Sequence, residues 1–343
     1  MTDFPWPDLL SRLMGGADLS EFEARTAMDE IMGGRATPAQ IAGFAVSLRA
    51  KGETVEEIVG LARSALDNAV TVDIDAPVVD TAGTGGDGSG TFNISTTAAF
   101  VAAGAGAKVA KHGNRAASSR TGSADLLEEL GVPIDLPPDQ TARLVMEAGF
   151  GFFFAPLYHP AFRHAGPVRR KLGVPTVFNF LGPLLNPARA RRQALGVSDG
   201  RMAERLIGVL QAMGSEYCFV YHGEDGLDEL TTAGPSMIYR LRDGEVTHAE
   251  FTPGDFGIER SSVDALLGGD AAENAHITRS VLEGKHGPRR DATLINAAPA
   301  IVVAGLADGF ADAIVLAEES IDSGAAMGVL DRVVEMGREL TGE

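Results

Sequence analysis

Residues 81–88, Thr81-Ala82-Gly83-Thr84-Gly85-Gly86-Asp87-Gly88, follow a short apolar run ending at Asp80 and precede Asn93-Ile94-Ser95-Thr96, which opens an alanine-rich stretch of helical texture. Glycines let a backbone approach a ligand closely and turn its N–H groups toward it, and a helix start adds free N–H groups with a partial positive charge. Strand, glycine loop and helix in that order suit a phosphate. Gly83, Gly85 and Gly88 satisfy the spacing of the dinucleotide fingerprint. That site, however, also needs an acid about twenty residues on to hold the ribose, and none follows Asp87 until Asp125. A P-loop is excluded because no Gly-Lys-Ser/Thr follows at its spacing. A phosphate loop of a third kind remains, beside the plainer reading of a tight turn that needs glycine for its geometry. Asp87 conflicts with an anion unless a cation or a ligand hydroxyl is also present, and pyrophosphate with magnesium resolves the conflict.

Outward from the loop, the chain beyond Ala76 alternates short apolar runs with glycine-containing loops and Ala-rich helical stretches. This is the pattern of a mostly parallel sheet covered by helices. The runs Val78-Val79, Lys108-Val109-Ala110 and Tyr217 to Tyr221 read as strands ending at Asp80, Lys111 and His222. Ligands of such sheets bind outside the carboxyl ends of the strands. The preceding residues read as helices instead. Ser20 with Glu23, Thr37 with Gln40 and Thr54 with Glu57 match capping boxes, Pro38 suits a first helical position, and Ile41, Phe44, Ala45 and Leu48 recur at helical spacing. The expected fold is α/β, with a small all-helical domain beside a larger, mostly parallel sheet. Residues 1–72, joined by part of the Pro- and Gly-rich 160–190 segment, form the first domain, and residues 73–343 form the second.

The chain carries 47 acids against 29 Lys and Arg, a net charge of −18, which argues against nucleic acid as the main partner. At that acid content Gly88 to Ala124 should hold about five acids and Ala148 to Ser198 about seven, yet both hold none. The first window has Lys108, Lys111, Arg115 and Arg120; the second has Arg163, Arg169, Arg170, Lys171, Arg189, Arg191 and Arg192. Two acid-free basic windows in an acidic protein point to small anions bound at one place, with chance and burial as the plain alternative. No apolar stretch approaches the roughly 20 residues of a membrane span. The single cysteine, Cys218, reads as a buried thiol, and a reducing cytoplasm is the expected location.

Lys111-His112-Gly113-Asn114-Arg115-Ala116-Ala117-Ser118-Ser119-Arg120-Thr121-Gly122-Ser123 gathers cations, hydroxyls and glycine N–H groups in one loop without an acid. Asn114 adds reach to a polar acceptor on a second substrate. Gly223-Glu224-Asp225-Gly226-Leu227-Asp228-Glu229 follows a strand and sets two adjacent carboxylates where oxygen ligands could hold magnesium. Alone, such a pair is ordinary solvated surface.

Together, Gly83-Thr84-Gly85-Gly86-Asp87, Asn93-Ile94-Ser95-Thr96, Lys111-His112-Gly113-Asn114-Arg115, Gly122-Ser123-Ala124-Asp125, His159-Pro160-Ala161, Phe178-Asn179-Phe180-Leu181-Gly182-Pro183-Leu184, Asn186-Pro187, Asp225-Gly226-Leu227-Asp228-Glu229 and Asn296-Ala297 occur in one order. In that order they resemble the anthranilate phosphoribosyltransferases over essentially the whole chain. The resemblance implies a helical domain beside an α/β domain, related to the pyrimidine nucleoside phosphorylases and dimeric through the helical part. It implies that Gly83, Gly86, Asp87, Thr91, Asn93, Ile94, Ser95, Thr96, the run Lys111, His112, Gly113, Asn114, Arg115, Ala116, Ala117, Ser118 and Ser119, and Ser123 hold phosphoribosyl pyrophosphate. Gly83, Asn114 and Arg169 would face anthranilate, and Ser95, Asp228 and Glu229 would bind magnesium, two ions per active site. A guanidinium at Arg169 suits the carboxylate of anthranilate, which it can grip in a planar fork. One departure is Pro175 before Thr176-Val177-Phe178-Asn179, where the family often has arginine; Arg170 and Lys171 stand nearby.

The activity so implied joins the anthranilate amine to the anomeric carbon of the ribose as pyrophosphate departs, a step of tryptophan biosynthesis. No residue is assigned as general base, since an aromatic amine is already neutral near pH 7 and His112 in such a loop serves equally as a donor or a packing group. Two rivals stay open at this point: a pyrimidine nucleoside phosphorylase, and a non-catalytic nucleic-acid-binding relative, which the charge disfavours.

Overall fold

The computed structural model describes residues 4–116 and 120–342. Four helices come first: α1 (Trp6–Met14), α2 (Glu21–Met32), α3 (Pro38–Lys51) and α4 (Val55–Asp67). Each of the three expected capping boxes forms, with the hydroxyls of Ser20, Thr37 and Thr54 accepting from the N–H of Glu23, Gln40 and Glu57. Such a cap satisfies orphan N–H groups at a helix start and is worth about 1 kcal/mol. The helices bury one shared face, built from Leu9, Leu13, Met28, Ile31, Phe44, Leu48, Ile58 and Leu61.

The remaining elements are β1 (Val79–Gly83), α5 (Ile94–Gly104), β2 (Val109–Gly113), α6 (Ser123–Glu129), α7 (Pro138–Ala148), β3 (Phe150–Phe154), α8 (Ala155–Tyr158), α9 (Gly166–Leu172), α10 (Phe178–Leu181), β4 (Arg192–Gly196), α11 (Gly200–Ala212), β5 (Tyr217–Gly223), β6 (Ser236–Arg242), β7 (Glu245–Phe251), α12 (Ala271–Leu282), α13 (Pro288–Val303), α14 (Phe310–Asp322) and α15 (Ala325–Thr341). One sheet of seven strands runs in the order β3-β2-β1-β4-β5-β6-β7. The first five are parallel, and β6 and β7 add an antiparallel hairpin at one edge. The chain is thus a small helical domain beside a larger α/β domain.

The order in which strands are added reverses between β1 and β4, which lie side by side and parallel although far apart in sequence. A crevice opens at such a switch point, outside the carboxyl ends of the strands. Gly83 and Gly196 end β1 and β4 directly opposite each other. Beneath them α5 is buried nearly all round; its run of alanines fits between sheet and outer helices, and its first turn, Ile94 to Thr96, lines the crevice.

One sequence expectation shifts. The strands extend past the polar residues expected to end them: β1 runs on from Asp80 to Gly83, β2 from Lys111 to Gly113 and β5 from His222 to Gly223. Asp80 and Lys111 are buried inside the sheet rather than at its rim, stabilised there by partners that a local reading cannot see. The Pro- and Gly-rich 160–190 segment folds into short helices. Its Ala165, Val168, Val177, Phe178, Phe180 and Leu181 join the same apolar cluster as α1 to α4. Cys218 is buried as expected, and burial pushes its thiol up to about 12. Among the described residues no helix is long and apolar enough to cross a membrane.

Candidate active site

At the switch point lies a cleft of about 370 Å³, bounded by the loop between β1 and α5, the loop between β2 and α6, the α9–α10 region and the turn after β5. Gly83, Gly86, Asp87, Thr91, Asn93, Ile94, Ser95, Thr96, Lys111, His112, Gly113, Asn114, Arg115, Ala116, Ser123, Arg169, Asp228 and Glu229 all line it. Ala117, Ser118 and Ser119 lie outside the described residues. Distant parts of the sequence therefore meet in one concavity.

Not every lining residue offers its side chain. Ile94 packs its side chain with Phe92, Leu266 and Ile277, leaving only its main chain for the cleft. The guanidinium of Arg115 turns toward α6 instead, bridging Asp125 (3.0 Å) and Glu128 (2.5 Å). Asp125 in turn accepts the N–H of Ala116 (3.0 Å) and Gly122 (2.9 Å), so one carboxylate braces both ends of the cationic loop.

The acidic turn is held from both sides. The Asp228 carboxylate accepts the Gly85 N–H (2.7 Å), and Glu229 accepts the Ser95 N–H at the start of α5 (3.0 Å). Asp228 rests against the two paired glycines: a Cβ on Gly83 would overlap its Oδ2, and one on Gly196 would overlap its carbonyl oxygen. On the far side Asn296 clasps Leu230, accepting its N–H (2.8 Å) and donating to its carbonyl (2.9 Å). Asn296 was legible only as part of the family pattern, because a single asparagine inside an apolar helix carries no local signal of a role.

Three charged groups share the floor. Lys111 is buried and donates to the Thr81 carbonyl (2.5 Å), with the Ser95 hydroxyl at 3.5 Å. Burial pulls its ammonium down to about 8, against the attraction of Asp80, Glu229 and Asp228. Burial, and then repulsion by Asp87, pushes Asp228 up to about 6, and burial with the Asp228 charge raises Glu229 well above the usual carboxylate range. Glu229 Oε2 is buried and has no hydrogen-bond partner among the described residues. Two crowded carboxylates, one with an orphaned oxygen, beside a serine hydroxyl form an all-oxygen set that fits a hard cation such as magnesium.

Arg169 lies on α9, partly buried, 5.8 Å from the Phe178 ring centroid, and its guanidinium makes no ion pair or hydrogen bond among the described residues. Burial lowers its pKa from the ordinary arginine value. A guanidinium held without a counter-ion in an acid-free segment is prepared for an anion that arrives from outside. Arg170 and Lys171, beside Pro175, are exposed at the end of the same helix.

Residues 75–327 match the α/β domain of a glycosyl transferase family, and residues 7–69 match the helical bundle domain of such a family. The anthranilate phosphoribosyltransferase of Arthrobacter sp. (strain FB24) is 54% identical over 339 residues, covering 97% of this chain and 96% of that protein. The chain belongs to the anthranilate phosphoribosyltransferase family. The crystal structure of the anthranilate phosphoribosyltransferase from Thermus thermophilus superposes with a TM-score of 0.91 at 42% identity, over 96% of this chain and 99% of that one. That from Saccharomyces cerevisiae, in complex with PRPP and Mg, superposes at 0.90 with 29% identity, over 98% and 99%.

For a member of the anthranilate phosphoribosyltransferase family, the raised carboxylates give a pH dependence with a definite sign. A carboxyl whose folded pKa is raised binds a proton more readily folded than unfolded. Its contribution to stability therefore falls as pH rises from the ordinary value near about 4 through the folded value near 6 for Asp228. A cation that binds the ionised pair relieves this cost. Magnesium should accordingly raise the melting temperature more at pH 8 than at pH 5.5, as followed by differential scanning fluorimetry. An equal shift at both would dissociate the pair from the metal.

Proposed function

We propose that this chain transfers the phosphoribosyl group of phosphoribosyl pyrophosphate to the amine of anthranilate, releasing pyrophosphate and giving N-(5-phosphoribosyl)anthranilate in tryptophan biosynthesis. What carries the reading is the meeting of the glycine loop, the cationic loop and the Asp228-Glu229 pair in one cleft, with the uncompensated Arg169 beside them.

In this reading Gly83, Gly86, Asp87, Thr91, Asn93, Ile94, Ser95 and Thr96, with Lys111 and the loop through Ser119, and Ser123 hold the donor, while Gly83, Asn114 and Arg169 face anthranilate. Ser95, Asp228 and Glu229 hold magnesium, two ions per active site. Bound there, magnesium neutralises charge on the leaving pyrophosphate. The N–C bond forms at the anomeric carbon as the C–O bond to pyrophosphate breaks with its electron pair, the new arylammonium releases one proton to solvent, and fixed donors aimed at the growing negative charge lower the barrier. His112 is a poor base: burial drops it to about 3, and its Nδ1 lies 3.1 Å from the Gly182 carbonyl. A neutral aromatic amine needs little activation, so the site works by positioning. The same reading has residues 1–72 with part of 160–190 as the helical domain, residues 73–343 as the donor-binding domain, a homodimer through the helical domain, and a cytoplasmic location.

Loss of anthranilate fluorescence tests the activity, and it should require both the ribosyl donor and magnesium. Phosphate-dependent cleavage of a pyrimidine nucleoside, without anthranilate turnover, would reverse the reading. Arg169→Ala is expected to raise the KM for anthranilate at least about tenfold, with the donor KM within about twofold, the loss of a charged hydrogen bond to one substrate. Equal effects on both would remove Arg169 from the carboxylate role.

A further inference from the structure

Asn274 lies in the first turn of α12, buried to 2% exposure and outside the cleft lining. Its carbonyl oxygen accepts the Gly269 N–H (2.8 Å), and its amide nitrogen donates to the side-chain oxygen of Asn93 (2.9 Å). Asn93 then donates to the Thr121 carbonyl (3.2 Å), and the Thr121 hydroxyl donates to the Gly269 carbonyl (2.9 Å). The ring closes on itself.

Each member belongs to a different part of the site. Asn93 ends the glycine loop, Thr121 belongs to the cationic loop, and Gly269 and Asn274 belong to neither. Main-chain groups fix the polarity of the ring at both ends, since Gly269 N–H can only donate and Thr121 C=O can only accept. Both amides therefore have one workable orientation. The same outside segment also straps the glycine loop through Phe92 N–H to Leu266 C=O (2.9 Å) and Gly268 N–H to Gly90 C=O (3.0 Å). One helical turn on, the hydroxyls of Thr97 and Thr278 share a hydrogen bond (3.0 Å), so α5 and α12 are tied twice.

We propose that Asn274 is a positioning residue that sets the separation of the two donor-binding loops, so that affinity for the ribosyl donor depends on a side chain that never touches it. This rests on the reading that both loops hold one donor. Asn274→Asp is the sharpest test, because it keeps the size and the bond from Gly269 N–H but sets an oxygen against Asn93 Oδ1. Flipping Asn93 only moves the conflict to the Thr121 carbonyl.

The expected result is a donor KM raised at least about tenfold and an anthranilate KM changed by less than about twofold, the loss of one buried bond plus one oxygen–oxygen contact. In an Asn93→Ala background the added cost of Asn274→Asp should shrink below about twofold, because the partner is gone. Melting curves run in parallel. A donor KM unchanged by Asn274→Asp, an equal cost in both backgrounds, or both KM values rising together with a lost melting transition would each overturn the proposal. Failure of the unaltered protein to turn over anthranilate would sink the reading beneath it instead.

Discussion

Replacing Gly196 by alanine should reduce kcat/KM about 100-fold or more while leaving the protein folded. Gly196 closes β4 opposite Gly83, and an added Cβ would overlap the carbonyl oxygen of Asp228 and approach its carbonyl carbon to 2.5 Å, with the Tyr221 ring at 3.3 Å. The turn cannot simply recede. Leu230 is clasped by Asn296 behind it, and the Gly223 N–H to Leu227 carbonyl bond (3.0 Å) closes the other end. Overpacking at such a point costs about 1–3 kcal/mol of stability. The functional cost is larger, because a displacement of about 1 Å at a catalytic group can lose about 100-fold in rate. A variant with kcat/KM within about threefold of the parent would mean that the Asp228 position is not set by these glycines.

Glu229→Gln should separate activity from stability. The amide keeps the shape and can still accept the Ser95 N–H, but it loses the charge. Removing one preorganised charge from a site of this kind costs about 100- to 1000-fold in kcat, and half-saturation by magnesium should rise more than about tenfold. Stability should move the other way. The Glu229 carboxyl is raised by burial and by Asp228, so its ionised form destabilises the fold at neutral pH, and a neutral isostere removes that cost. The metal-free variant is therefore expected to melt above the metal-free parent. An unchanged magnesium requirement would refute the metal assignment, and a lower melting point would refute the electrostatic account of the pair.

Much of this was legible because it is local. Ser20, Thr37 and Thr54 announce their helices through contacts within four residues, and the glycine loop with its following helix start is likewise contiguous. The missing acid in two long windows marked the segments that meet in the cleft. What local reading lost was long-range. Strands looked short because Asp80, Lys111 and His112 are polar, and only the fold sets the His112 N–H on Asp80 (3.1 Å) and Lys111 on Thr81. Arg115 read as a free cation for the donor, yet α6 brings Asp125 and Glu128 to its guanidinium. The role of Asn274 was invisible because one amide in the first turn of a helix has no periodicity, and its partners lie 5 and 181 residues away.

In the proposed reading, residues 83–96 and the cationic loop beginning at Lys111 converge on one diphosphate-bearing sugar. A crystal structure of the protein with phosphoribosyl pyrophosphate and manganese in place of magnesium would show whether they do. The pyrophosphate is expected over the start of α5, between the two loops, with an anomalous manganese peak against Ser95, Asp228 or Glu229. A donor bound elsewhere, or a metal peak remote from that pair, would contradict the reading.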